Sequence, residues 1–229
     1  MSRRNVALIP AAGAGTRFGA GRPKQYVEIR GKTVLRHTVD IFLRHPLIDA
    51  VAVVLSPDDV LFRDEFACGK KPVVLRCGGE TRAQTVRNGV SALLEGGLAA
   101  GTDNILVHDA ARCCLPPDAL TRLVMEAGGA AQGGILAVPA ADTLKRAEGG
   151  RIAETVPRAG LWQAQTPQLF QAALLRRALS AAGLDGITDE ASAVERLGIR
   201  PLLVMGDTRN LKLTLPQDEF IVKLLLRAV

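Results

Sequence analysis

Short apolar runs alternate along this chain with longer segments whose apolar positions recur at helical spacing. Val6–Ala11 predicts a buried first strand. Val34–Leu43 predicts a helix with Leu35, Val39, Phe42 and Leu43 on one side. Ala50–Leu55 predicts a second buried strand, ended by Ser56-Pro57, and Val73–Arg76 a short third. Thr81–Leu94 predicts a helix stopped at Gly96-Gly97. Asn104–His108 predicts a fourth strand, Pro117–Ala127 a helix and Gly134–Val138 a fifth strand. Further on, helices are predicted at Gln171–Ala182, Thr188–Leu197 and Pro216–Leu226, and late strands at Pro201–Met205 and Leu211–Thr214. Strands alternating with helices imply an α/β fold, with a mainly parallel sheet flanked by helices on both faces. Ligands in such sheets bind beyond the carboxyl ends of the strands.

The rhythm breaks between Ala140 and Trp162. Glu148-Gly149-Gly150 marks a hairpin turn between Asp142–Arg146 and Arg151–Val156, and neither flank supplies a core. We read 1–229 as a single domain with an arm at about 140–162 that extends toward a partner subunit.

Composition narrows the partners. Lys+Arg 29 against Asp+Glu 23 gives a formal charge of +6, which suits anionic small molecules. The basic residues are scattered and aromatics are only 3%, so stacking platforms for nucleic acid are not expected. No apolar stretch approaches a membrane span, so no membrane association is expected. Cys68, Cys77, Cys113 and Cys114 lack paired-cysteine metal spacing, and no secretory leader is read before them. A reduced cytoplasmic chain is the expectation.

Three motifs fall at predicted strand ends. The first is Pro10-Ala11-Ala12-Gly13-Ala14-Gly15-Thr16-Arg17-Phe18-Gly19, followed by Pro23-Lys24-Gln25. Small residues let a backbone approach phosphates, and Arg17 and Lys24 add positive charge. It is not a Walker loop, because Ala20 follows Gly19. It is not the dinucleotide fingerprint, because Phe18 stands where the third glycine belongs. A loop of this kind points to a nucleoside triphosphate. The second motif is Gly78-Gly79-Glu80-Thr81-Arg82, and the third His108-Asp109-Ala110-Ala111-Arg112.

Asp109, at a strand end, is a candidate magnesium ligand, with a helix N-cap as the alternative. His108 is expected to be packed rather than catalytic. Arg112 is either a phosphate ligand or a solvated arginine. In Asn210-Leu211-Lys212-Leu213-Thr214, strand alternation puts Lys212 on the face opposite both leucines. Asp189-Glu190 behind Thr188 reads as acid in a first helical turn.

These motifs, together with Pro23-Lys24-Gln25-Tyr26, Asp142-Thr143-x-Lys145, Leu161-Trp162-x-Ala164-x-Thr166-Pro167-Gln168, Thr188-Asp189-Glu190-Ala191 and Asn210-x-Lys212, resemble the 2-C-methyl-D-erythritol 4-phosphate cytidylyltransferase family over essentially the whole chain. Cys113 stands where that family usually has proline. The resemblance implies a Rossmann-like nucleotidyltransferase fold and transfer of a cytidylyl group from CTP to methylerythritol phosphate, with Mg2+. It implies that Arg17, Lys24 and Lys212 surround the triphosphate and the transition state. Ala11, Ala12, Gly13, Gly15, Gly79 and Thr85 would hold the nucleotide, with Glu80 or Thr81 at the base and Asp109 near ribose and magnesium. Arg112 and Thr166, with Thr143 and Arg158 from a second subunit's arm, would bind methylerythritol phosphate, so a homodimer is expected. The rivals are a ribitol-5-phosphate cytidylyltransferase and a non-catalytic nucleotide-binding module.

Overall fold

The computed structural model describes residues 3–13, 23–63, 71–180 and 183–227. Its elements in chain order are β1 (Asn5–Pro10), β2 (Glu28–Ile29), β3 (Lys32–Thr33), α1 (Val34–Arg44), β4 (Ala50–Val54), β5 (Val73–Leu75), α2 (Arg82–Glu95), β6 (Asn104–Val107), α3 (Pro117–Ala127), β7 (Gly134–Pro139), β8 (Leu144–Glu148), β9 (Arg151–Val156), β10 (Trp162–Gln171), α4 (Ala172–Ser180), α5 (Glu190–Glu195), β11 (Leu202–Met205) and α6 (Asp218–Leu225). Seven strands form one sheet in the order β11-β7-β10-β6-β1-β4-β5. The β1–β4, β1–β6, β4–β5 and β7–β11 pairs are parallel. Within this sheet, among the described residues, only β10 runs antiparallel, to both β6 and β7.

Alternation along β1 explains the layering. Ala7 and Ile9 pack on one face with Leu35, Val39 and Phe42 of α1 and Leu120 and Leu123 of α3. Val6 and Leu8 pack on the other with Val86, Val90 and Leu93 of α2 and with α4 and α5. Both faces are covered, which is why parallel strands read as continuous apolar runs. Close approach of α2 to the sheet requires Gly89: a Cβ there would lie 2.6 Å from Val54 Cγ2. A third cluster of Ile29, Val34, Ala111, Cys113, Cys114, Leu213 and Val222 seats α6.

The chain leaves β1 toward β4 and β5 on one side, then returns to β6 on the other. The carboxyl ends of β1 and β6 therefore flank the point where strand order reverses, where a crevice opens.

Two expectations need correction, and one strand was not foreseen. The antiparallel strand β10 was not expected, because Gln163, Gln165, Gln168 and Pro167 break an apolar pattern and proline argues against a central strand. The structure accommodates them with an irregularity: Ala164 faces Ala137, but Gln168 faces Ile135, so the backbone bulges across Gln165, Thr166 and Pro167. Thr166-Pro167 is a cis peptide. Leu211–Thr214 forms no strand; a single hydrogen bond from Leu213 N to the Ala111 carbonyl, 2.9 Å, replaces a ladder. The helix expected over Thr188–Leu197 is shorter, Glu190–Glu195, with Asp189 as N-cap in a reciprocal capping box with Ser192. The turn at Gly149-Gly150 does form, with φ of 55° and 76°, and joins β8 to β9 in an exposed hairpin.

Candidate functional site

A cleft of about 470 Å³ opens at the strand-order reversal. The segment after β1 (Pro10 to Gly13), Lys24 and Gln25, Gly79 to Arg82 with Thr85, Asp109 to Ala111, and Lys212 with Thr214 line it. The second glycine motif is pressed against the first. Gly78 N donates to the Leu55 carbonyl at 2.8 Å, and a Cβ on Gly78 would collide with Ala12 Cβ. The Thr85 hydroxyl then holds the turn, accepting from Gly79 N at 3.1 Å.

Asp109 is the electrostatic centre. Its Oδ1 lies 2.9 Å from Arg82 Nε, and its Oδ2 lies 2.8 Å from Lys212 Nζ and 3.6 Å from Arg112 Nε. Burial alone would push this carboxyl up, but the attraction of Arg82, Lys212 and Arg112 outweighs it and holds it far below the usual carboxylate range. Arg82 is itself shared. Its two terminal nitrogens meet Glu190 at 2.7 and 3.1 Å, a forked pair on a carboxylate only 1% exposed. Burial opposes the Arg82 charge, yet Glu190 and Asp109 more than offset it and raise its pKa.

The backbone under Asp109 is fixed by a relay. Asp109 N donates to Thr166 Oγ1 at 3.1 Å, and that hydroxyl lies 3.1 Å from His108 Nδ1. His108 Nε2 meets the Arg112 carbonyl at 2.9 Å, which makes Nε2 the protonated nitrogen and leaves Nδ1 to accept. Burial holds His108 down to about 4, so it is neutral at pH 7. The bulge in β10 thus places Thr166 where it supports β6. Asn210 Nδ2 donates to the Thr166 carbonyl at 2.7 Å, and Arg112 Nη1 to the Asn210 carbonyl at 2.5 Å. This lattice carries the Lys212 segment to Asp109.

The candidate residues therefore fall into groups. Ala11, Ala12, Gly13, Lys24, Gly79, Glu80, Thr85, Asp109 and Lys212 line the cleft. Arg112 and Thr166 stand behind it, engaged with Asn210, His108 and Asp109. Thr143 and Arg158 do not line the cleft of their own chain; both are exposed, and Arg158 donates to the Ala141 carbonyl. Gly15 and Arg17 lie outside the described residues. The N-cap alternative for Asp109 fails, because only a turn follows, with Arg112 N donating to the Asp109 carbonyl at 3.0 Å. Arg112 is not a solvated arginine: its side chain is 13% exposed. Sequence reasoning gave no role to Gln25, Arg82, Gln165 or Asn210, and it read Glu190 only as first-turn acid. The signal available for Gln25 was its place beside Lys24; for Glu190 it was a carboxylate followed by the apolar run Ala191, Ala193 and Val194.

Among the described residues no group of three or more His, Cys, Asp or Glu could hold a metal unaided. The buried carboxylate of the cleft, Asp109, fits magnesium, which usually takes one or two carboxylates plus substrate phosphates, once the ion takes the place of Lys212 on Oδ2.

Comparison with known proteins gives one picture. Residues 5–228 match the model of a family described as 2-C-methyl-D-erythritol 4-phosphate cytidylyltransferase. A protein of that name from Neisseria gonorrhoeae is 69% identical over 100% of both chains. One from Chromobacterium violaceum is 53% identical over 97% of this chain and 98% of that one. A crystal structure of a 4-diphosphocytidyl-2C-methyl-D-erythritol synthase superposes with a TM-score of 0.89 at 63% identity, covering 99% of each chain.

Proposed function

The chain belongs to the 2-C-methyl-D-erythritol 4-phosphate cytidylyltransferase family, and from that premise we propose how its cleft performs the reaction. The enzyme transfers a cytidylyl group from CTP to 2-C-methyl-D-erythritol 4-phosphate, releasing pyrophosphate and supplying an isoprenoid precursor.

The observation that carries the mechanism is the Asp109 carboxylate, 2.8 Å from Lys212 and 2.9 Å from Arg82, in a cleft that Lys24 also lines. The nucleophile is a phosphate monoester, whose second pKa of about 6 leaves it mostly dianionic at neutral pH. No base need take a proton from it. His108, buried with both nitrogens engaged, agrees with that. The barrier is the approach of two anions and the charge spread onto pyrophosphate as it leaves, and fixed cations lower it. Lys24 and Lys212 supply that charge in this reading, with Arg17. Ala11, Ala12, Gly13, Gly15, Gly79, Glu80 and Thr85 hold the nucleotide. Asp109 would hold Mg2+, which would supply neutralisation of phosphate charge.

Arg112 and Thr166, behind the cleft beside Asp109, take part in binding the second substrate in this reading, and Thr143 and Arg158 reach a partner's cleft. That makes the working unit a homodimer. Support comes from the β8–β9 hairpin, exposed along both strands, and from Ile152 and Trp162, 67% and 37% exposed, near its tip and its return. A cytoplasmic location belongs to the same proposal, resting on the unbridged Cys77, Cys113 and Cys114.

The test is pyrophosphate release from CTP and Mg2+, with methylerythritol phosphate and ribitol 5-phosphate offered separately. Release with the first alone is expected. Release with ribitol phosphate alone would overturn the choice of acceptor, and silence with both would overturn the mechanism.

A further inference from the structure

Gln25 lies beside Lys24, yet its side chain turns inward and is 5% exposed. Its amide nitrogen donates to two backbone carbonyls, Ala11 and Gly13, each at 2.9 Å. A primary amide has two N–H donors, and both are used. The two acceptors are the start of the glycine loop, so one side chain ties the segment leaving β1 to the turn that carries Lys24. That turn is a single 3-10 turn, closed by Tyr26 N to the Pro23 carbonyl at 2.9 Å. Its other end is bolted down as well. Tyr26 Oη donates to Asp59 Oδ2 at 2.7 Å, and Tyr26 packs in the core beside Leu35 and Val39. Lys24 therefore sits on a short turn clamped on one side by the core and on the other by the loop.

The clamp also orients the loop. A trans peptide sets its C=O and N–H in opposite directions. With the Ala11 carbonyl held on Gln25, the Ala12 N–H of the same peptide faces away from the amide. Ala12 lines the cleft. A carbonyl turned the other way would present negative charge to a triphosphate.

We propose that Gln25 is a positioning residue for nucleotidyl transfer, fixing the Lys24 turn and the Ala11–Gly13 backbone in one arrangement through its two amide hydrogen bonds. This rests on the nucleotidyl-transfer reading of the cleft. Only a group with two donors does this work. Gln25→Glu keeps shape and volume but sets carboxylate oxygens against two carbonyl oxygens. Gln25→Met keeps volume and removes both donors without adding charge.

The experiment follows pyrophosphate release per folded molecule from CTP, Mg2+ and methylerythritol phosphate between pH 5.5 and 8. Both variants are expected to lose about a hundredfold in kcat, the cost of misplacing a reacting group by about 1 Å. The ratio of Gln25→Glu to wild type is expected to rise several-fold toward pH 5.5, because a protonated carboxyl can donate to one carbonyl; the Gln25→Met ratio stays flat. Wild-type kcat with a flat Gln25→Glu ratio would overturn the proposal while leaving the reaction intact. So would losses that disappear once activity is counted per folded molecule. An inactive wild type would instead remove the reading beneath it.

Discussion

Lys212 Nζ rests 2.8 Å from Asp109 Oδ2, joining the end of β6 to a segment that follows β11. Arg82 takes the other oxygen of the same carboxylate, so Lys212 is positioned within a shared charge cluster rather than by a private pair. Asp109→Asn and Lys212→Gln should each lower kcat/KM for CTP. The double variant should lose less than the two single losses combined, with a coupling of about 0.5–3 kcal/mol. Steady-state kinetics on the four proteins checks this, and strict additivity would mean that the contact does not matter to the reaction.

Glu190 is 1% exposed and pairs with both terminal nitrogens of Arg82. Without Glu190, Arg82 keeps Asp109 at 2.9 Å and is 29% exposed, so losing the forked charge-assisted bonds costs about 1.5–3 kcal/mol. Glu190→Ala should therefore lower stability in a urea titration by that order, and Glu190→Gln by less. A surface acid in a first helical turn would cost only about 0.3–1 kcal/mol. A small loss from Glu190→Ala would show that the pair contributes little.

His108 provides the pH dependence. Its folded pKa of about 4 lies below the unfolded value of 6.5, so its neutral form stabilises the fold above pH 6.5. As pH falls, the unfolded chain takes up the proton first. The contribution shrinks from pH 6.5 and is lost by about pH 4, a change on the order of 3 kcal/mol. Its imidazole signals in NMR should show no titration between pH 6 and 8. A midpoint near 6.5 would contradict the packing found around it.

The arm predicts complementation. Lys24→Ala should lower kcat by about two orders of magnitude, as removal of a transition-state donor does. Arg158→Ala should also be nearly inactive, although Arg158 does not line its own cleft. Mixing the two under conditions that exchange subunits should restore roughly a quarter of the wild-type sites, since half the dimers are mixed and each carries one intact site. Exchange without recovery would rule out sites shared between subunits.

Much of this was legible in the sequence for a physical reason. Val6–Ala11, Ala50–Leu55 and Asn104–His108 are apolar because both sheet faces are covered, and Gly13 follows the first strand, Gly79 the short third strand at Val73–Arg76, and Asp109 the fourth. Lys212 could be placed on the face opposite its leucines, and Leu213 is indeed buried, although no strand forms there. β10 was hidden because its polar residues are spent inside the molecule: Gln168 bonds Asp189 and Ala191 N at 2.8 Å, and Gln165 bonds the Asp207 carbonyl at 2.9 Å. Glu190 was underrated because its partner, Arg82, lies far away in sequence. A local pattern reports which face a residue occupies, but not which distant charge meets it there.

The place of β10 in the sheet has a consequence for synthesis of the chain. β6 and β7 both leave the ribosome before β10, yet the finished sheet has β10 between them. Until residue 171 has emerged, β6 is an open edge carrying Ile105, Leu106 and Val107, all fully buried in the end. The nascent chain must hold two neighbouring strands apart for a third, and β6 paired prematurely with β7 would leave no room for it. The relay from Asp109 through Thr166 to His108 is completed only by that late insertion, so a truncated or mispaired chain lacks the support of the active centre as well as a strand.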